Sequence, residues 1–277
     1  MHRLSLLAVT AAAAFSLALT AHADNVAGKW TGSGEFGFAS SRGNTHSENL
    51  NTKLTLGYQD DTWKDDFFLT ALRAKGEIKT PVVVDGVTTG YASSFDTTAN
   101  RFEAGASSGY KFSPRSYLVG ALRYDHDDFA ANRWEEVASL GFGYIALKDA
   151  RSELSLEIGP GYKRSQPKDL TLVNVATTPP TVLQVQPVAQ NQAIGRGLVN
   201  FKHRITDNTM FEDTLLTESG TQNTFYQNDA GVAVSMTKAL ALKLGYETRY
   251  NSEIAPGAEH SDQLLTTNLV YSFSGSK

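Results

Sequence analysis

Leu240-Ala-Leu-Lys-Leu-Gly-Tyr-Glu-Thr-Arg-Tyr250 places Leu240, Leu242, Leu244, Tyr246 and Tyr250 at even positions and Lys243, Glu247 and Arg249 at odd ones. Side chains of an extended strand point alternately to opposite faces, so the stretch reads as a β-strand with one apolar and one charged side. The same alternation recurs along the chain. In residues 29–42, Trp30, Phe36 and Phe38 oppose Thr31, Ser33 and Glu35; in 154–163, Leu154, Leu156, Ile158 and Tyr162 oppose Glu153, Ser155, Glu157 and Lys163. Segments 50–58, 95–112, 116–125, 140–144, 199–205, 226–236 and 265–273 follow the rule, whereas 63–78 and 209–217 are blurred, the former because Phe67 and Phe68 are both apolar. Twelve strands result.

The connections sort by length. Those after the second, fourth, sixth, eighth and tenth strands have three or four residues, and those after the odd strands are read as longer. Residues 79–94 form a long connection with Pro81, Gly86 and Gly90; residues 166–190 form the longest, with Pro179-Pro180 in its middle and 171–175 and 182–186 suited to a hairpin. Short turns at one end and long loops at the other are the layout of an outer-membrane barrel, turns toward the periplasm. Strands of ten or eleven residues, at about 3.3 Å each and a tilt near 40°, rise roughly 25–28 Å, the height of such a barrel's apolar band.

Aromatics collect where the band would meet water. Trp30, Tyr58, Trp63, Tyr110, Phe112, Tyr144, Phe211 and Phe273 fall near the turn side, and Phe38, Tyr124, Trp134, Tyr162, Tyr226 and Tyr250 near the loop side. Trp and Tyr favour that boundary because part of the ring is apolar and part hydrogen-bonds.

Residues 1–23 read as an export signal removed before the protein matures: Arg3, an apolar run from Leu4 to Leu19, then Ala21-His22-Ala23. Loss of Arg3 leaves 24 basic against 29 acidic residues, 24 − 29 = −5, which does not suit a nucleic-acid partner. The chain has no cysteine, so disulfides, thiolate metal sites and thiol nucleophiles are excluded. After the signal, charges interrupt every apolar run before it reaches the length of a membrane-spanning helix. A single all-β domain over 24–277, a twelve-stranded antiparallel transmembrane barrel, is therefore expected. Its expected partners are outer-membrane lipids and lipopolysaccharide, periplasmic chaperones and the barrel-assembly machinery.

Trp30-Thr-Gly32 at the start of the mature chain, Arg42-Gly-Asn-Thr45 at the first loop, Trp63 opening the third strand and the closing Leu269-Val-Tyr-Ser-Phe273 resemble the salt-induced outer-membrane protein family of Gram-negative bacteria, whose domain has no assigned function. The resemblance spans essentially the whole mature chain. It implies an outer-membrane barrel and supplies neither reaction nor substrate. Such barrels typically end on an aromatic; here Ser274-Gly-Ser-Lys277 follows Phe273.

The polar face gathers Lys53, Arg101, Glu103, Arg123, Glu153, Glu157, Lys163, Arg196, Lys202, Arg204, Lys243, Glu247 and Arg249. Pointing into the lumen, they either pair across it and fill it or line a narrow passage that selects solutes. Arg196 and Arg204 on one strand would form a basic ladder favouring anions. Catalysis would need a His beside a Ser or acid at the loop-side rim; the candidates are His126 in Asp125-His-Asp-Asp128 and His46 beside Ser47. His203 and His260 show no partner pattern in the sequence. No nucleophile, base and orienting group can be named together, so no enzyme is expected, and neither cofactor nor metal site is expected.

Overall fold

The computed structural model describes residues 28–41, 46–84, 87–174, 181–254 and 259–276. The expected signal over 1–23, the turn at 42–45, Pro179-Pro180 and the Pro256-Gly257 loop lie outside them. Twelve strands form one wall: β1 (Lys29–Ser41), β2 (Ser47–Gln59), β3 (Trp63–Val84), β4 (Val87–Lys111), β5 (Ser116–Asp127), β6 (Asn132–Lys148), β7 (Ser152–Pro167), β10 (Gln190–Arg204), β11 (Thr209–Gly220), β12 (Thr224–Ser235), β13 (Leu240–Asn251) and β14 (Ser261–Ser276). Between β7 and β10, β8 (Leu170–Asn174) and β9 (Thr181–Val185) pair as a separate hairpin, as the sequence suggested. Each wall strand is antiparallel to its neighbours, and β1 pairs with β14 to close a barrel.

Closure follows from the period-two pattern. In β13, Leu242, Leu244 and Tyr246 stand on the outside, and Arg249 is buried inside. Leu140 and Ile158 are each 72% exposed on the exterior. An apolar surface that encircles the molecule far exceeds what a soluble monomer presents, and matches the belt that barrel strands turn toward lipid.

The two blurred strands resolve once their faces are known. Phe67 belongs to the outer face, and Phe68 turns inward over Gly105 of β4, where any Cβ would overlap the ring. Tyr117 likewise lies over Gly143 of β6. Phe68 and Tyr117 thus each rest on a glycine across the strand pair. In β11 the irregularity is a polar pair on the outer face, Asn228 Nδ2 donating to Asp213 Oδ1 at 2.8 Å.

Turns at one end share a device. Asp60, Ser113, Asp149 and Thr237 each accept, on the side-chain oxygen, the N–H groups two and three residues on; for Asp149 these are Arg151 and Ser152, both at 2.7 Å. Those two backbone donors hold the Asp149 carboxyl below the usual carboxylate range. Both ends of the described wall lie here, since Lys29 pairs with Ser276. The residues after Phe273 extend β14, Ser274–Ser276 pairing with Thr31–Lys29.

The other end departs from expectation. Residues 79–94 are not a loose connection: β3 and β4 continue to Val84 and Val87. Beyond Gly76, where β2 ends, and Arg101, where β5 ends, the two strands pair mainly with each other as a projecting ribbon. The connections after β3, β5 and β11 are therefore short, 85–86, 128–131 and 221–223. Strand length, not loop length, distinguishes the ends, because a hairpin that keeps its ladder satisfies backbone groups that a loop would leave to solvent.

Leu244→Arg, which puts a charge in the middle of the belt, is expected to cost about 2–4 kcal/mol of folding stability in lipid vesicles. Denaturant titration against the parent checks it, and equal midpoints would contradict a lipid-facing Leu244.

Candidate functional site

Every strand sends alternate side chains inward, so the interior is assembled from all twelve. Its densest part is a layer near the loop-side end. Arg123 of β5 crosses the lumen to β11, where Nε and Nη2 donate to Glu218 Oε1 and Oε2 at 3.0 and 2.6 Å. This two-point fork is the strongest geometry an Arg–carboxylate pair adopts. Arg123 also lies within 3.7 Å of Glu103, Asp125 and Glu135. Lys163 of β7 reaches Glu135 at 2.7 Å and Glu218 at 3.4 Å, and Arg249 of β13 pairs with Asp125. Three cations thus face four carboxylates. Glu218, Lys163 and Phe225 are each 1% exposed.

Phe225 of β12 fills the centre of the layer. Arg123 Cζ and Arg249 Cζ are 5.1 Å, and Lys163 Nζ 5.5 Å, from the ring centroid. One ring thus meets three cations through its electron-rich face, and its bulk occupies space that polar side chains alone would leave open.

The layer divides two cavities. On the turn side a chamber of about 750 Å³ runs from Lys238 and Ser274 at the mouth to Glu103 and Arg123 at its roof. On the loop side a recess of about 100 Å³ is bounded by Asp125, Asp127, Glu135, Phe225, Arg249 and Asp262. In the chamber, Arg101 pairs with Glu247, and Lys243 with Glu35 at 2.9 Å and Glu212 at 3.6 Å. Glu157 accepts from Tyr117 Oη at 2.9 Å and from Arg196 at 3.2 Å.

The residues expected to line the lumen divide by depth. Glu103, Arg123 and Arg249, with Lys163, build the layer; Arg101, Glu157, Arg196, Lys243 and Glu247 lie paired in the chamber; Glu153 and Lys53 line it. Lys202 sits at the rim, 3.8 Å from Glu212, and Arg204 is exposed outside the lining. No basic ladder forms on β10: Arg196 is neutralised by Glu157, and Arg204 lies exposed at the last residue of the strand. Sequence reasoning missed Glu35, Asp125, Glu135, Glu218 and Phe225. Asp125 stands at the last position of the expected fifth strand and Glu218 just past the expected ninth, whereas β5 and β11 run on to Asp127 and Gly220. Carrying the alternation through both strand ends places both inside.

The aromatics expected at the boundaries form outer-face contacts. Toward the turns, Trp30 meets Tyr58 at 4.9 Å and Trp63 meets Tyr110 at 5.5 Å between ring centroids, while Tyr144 and Phe273 are exposed. Toward the loops, Tyr124 meets Phe102, Tyr226 meets Tyr250, Arg164 lies over Trp134, and Tyr162 is exposed. Among the histidines, His126 Nε2 is 3.2 Å from Asp128 Oδ1 and its ring stacks on Phe102, while His46 stacks on Phe95. His203 has a partner that the sequence did not reveal: its Nδ1 is 3.0 Å from Ser152 Oγ, directly across the β7–β10 pair. Among the described residues no group of three His, Asp or Glu is arranged to hold a metal ion.

Comparison with known proteins bears on the whole wall. The model of the family described as protein of unknown function, DUF481, matches residues 34–273. The uncharacterized protein YdiY of Escherichia coli (strain K12) is 23% identical over 237 residues, covering 85% of this chain and 80% of that protein. Among solved structures, the translocator domain of the autotransporter NalP from Neisseria meningitidis aligns at 9% identity over 96% of this chain and 95% of its own, with a TM-score of 0.45. An outer membrane channel from Pseudomonas putida F1 aligns at 11% identity over 91% and 97%, with a TM-score of 0.43.

Removing one side of a buried ion pair strands the other without water, at a cost of about 3–5 kcal/mol. Glu218→Ala, which leaves Arg123 and Lys163 short of a partner, is expected to lose that much stability in denaturant titration. Lys202→Ala at the exposed rim is expected to change it by less than about 1 kcal/mol.

Proposed function

The chain belongs to the DUF481 family, and on that premise we propose that it is an outer-membrane β-barrel of structural, non-catalytic role, its lumen closed toward the loops and open toward the periplasm. The apolar belt and the two levels of aromatics support the membrane setting. The β3–β4 ribbon projecting from one end and the meeting of the β1 and β14 termini at the other support the orientation. In that setting the outer surface meets outer-membrane lipid and lipopolysaccharide, and delivery of the unfolded chain falls to periplasmic chaperones and the barrel-assembly machinery.

One observation carries the closed lumen: the layer centred on Arg123, Glu218 and Phe225, whose cations each lie against wall carboxylates and whose gap is filled by a ring. Charges that guide permeating solutes must face an open passage. Here Arg123, Lys163 and Arg249 are turned on carboxylates of the wall. A barrel of this construction adds a stable, charge-filled element to the envelope and suits maintenance of the membrane under stress.

A narrow pore is the second reading, favoured by the 750 Å³ chamber that ends only at this layer. Planar-bilayer recording separates the two. The purified wild-type barrel is expected to give no current steps above background in potassium chloride, and Phe225→Ala, which removes the ring between the two cavities, is expected to give them. Resolved steps from the wild type would overturn the closed lumen in favour of the pore. A silent Phe225→Ala barrel that still migrates as a folded species on unheated detergent gels would show that the ring is not what closes it.

A further inference from the structure

Ten of the wall's seams hold at least eleven residue pairs, and so does β7 with β10. The seam between β1 and β14 holds eight, from Lys29 with Ser276 to Phe36 with Leu269. Both strands nevertheless continue toward the loops. Residues 37–41 of β1 remain paired to β2 and residues 261–268 of β14 to β13, but not to each other. Among the described residues, each therefore has a backbone edge without a ladder partner.

The position of this gap matters. Ser261 pairs with Tyr250, and Tyr250 packs on Tyr226 at the loop-side aromatic level. Residues 262–268 thus lie on the membrane side of that level, where naked N–H and C=O groups are not tolerated unless something covers them. Apolar side chains flank the gap outside: Phe38 is 60% and Leu265 69% exposed. Inside, Leu264, Thr266 and Asn268 line the turn-side chamber. At the closed end, the amides of Asn51 and Asn268 fill the space that Gly37 leaves without a side chain, and Asn268 Nδ2 donates to Glu35 at 3.3 Å. Asn268 Oδ1 is buried and has no donor among the described residues.

The chamber lining also includes apolar side chains from β3, β10, β11 and β14. Phe68, Leu72, Leu198, Leu216 and Leu264 line it among the paired charges. A purely aqueous conduit has no use for them. Bounded by the layer at its roof, the chamber is lined at the β14 edge of this gap by Leu264, Thr266 and Asn268.

We propose that the gap between residues 37–41 and 261–268 is a lateral port, through which an amphiphile bearing an acyl chain passes between the surrounding leaflet and the chamber. The chain slides between Phe38 and Leu265 and settles against the inward leucines. The polar head meets Asn268 Oδ1 and the exposed backbone edges, whose hydrogen-bonding groups it satisfies. This goes beyond the structural role above and is read out separately from conductance.

The absence of native cysteine makes the test direct, because an introduced thiol is the protein's only one. Thr266→Cys faces the chamber beside the gap, Ala121→Cys lines the chamber from β5, and Leu265→Cys faces outward. Each is labelled with bimane and folded into phosphatidylcholine vesicles with plain or brominated acyl chains. Brominated chains are expected to quench Thr266→Cys and Leu265→Cys at least twofold and to leave Ala121→Cys unchanged. Quenching at Leu265→Cys alone overturns the port. If Thr266→Cys does not fold, Leu264→Cys, also chamber-facing, replaces it.

A second measurement reads the gap itself. A disulfide requires Cα atoms within about 7 Å. Gly34→Cys with Tyr271→Cys, in the paired part of the seam, is expected to oxidise readily within the barrel. Ser40→Cys with Leu265→Cys, which would face each other if the register continued, is expected to stay reduced. Equal oxidation of both pairs would show a sealed wall, and cross-linking of Ser40→Cys between barrels would show a second copy covering the edge; either result overturns the port.

Discussion

A peptide group in hydrocarbon has no water to bond with, so each strand edge in the wall must be matched by another strand of the same chain. Everything else in this molecule is arranged around that requirement. It forces the sheet to close, makes every strand two-faced, and turns the charged half of each strand onto its counterparts across a narrow lumen. It also explains why the exceptions are informative. The projecting β3–β4 ribbon leaves edges open only beyond the ends of β2 and β5, whereas the β1–β14 gap leaves them open inside the belt.

Charges brought into such a lumen lose hydration, and mutual pairing returns enough only when the geometry is tight. The Arg123–Glu218 fork meets that condition. Phe225 completes it by supplying three cations with one ring and by taking up volume. The interior is thus graded: packed and matched at the loop side, roomier and partly apolar at the turn side. The asymmetry comes from which residues occupy inward positions, since the backbone register is regular throughout β5, β11 and β13.

Much of this was legible because the period of a strand is an integer. Leu240 through Tyr250 names its own two faces, and the number of strands, their turns and the hairpin within 166–190 could be counted from the chain. Failures cluster where the pattern carries two meanings. Phe68 and Phe225 are apolar residues at inward positions, and without knowledge of Gly105 or of three converging cations they look like errors in alternation. Glu218 is polar at the end of a strand, and polar strand ends are indistinguishable from loops by composition. Residues 79–94 contain Pro and Gly in a ribbon that has solvent on both edges, where neither residue disrupts a neighbour. Cross-lumen partners such as Arg123 and Glu218, 95 positions apart, leave no trace in local spacing.

Most seams of the wall join strands that follow one another in the chain, and β7 meets β10 across a short hairpin. Only β1 and β14 must find each other from opposite ends, so their contact carries the largest loop-closure entropy and has no local turn to nucleate it. That seam is also the one held by the fewest pairs. The wall is therefore held least tightly at the one contact that closing the ring, and no turn, brings together.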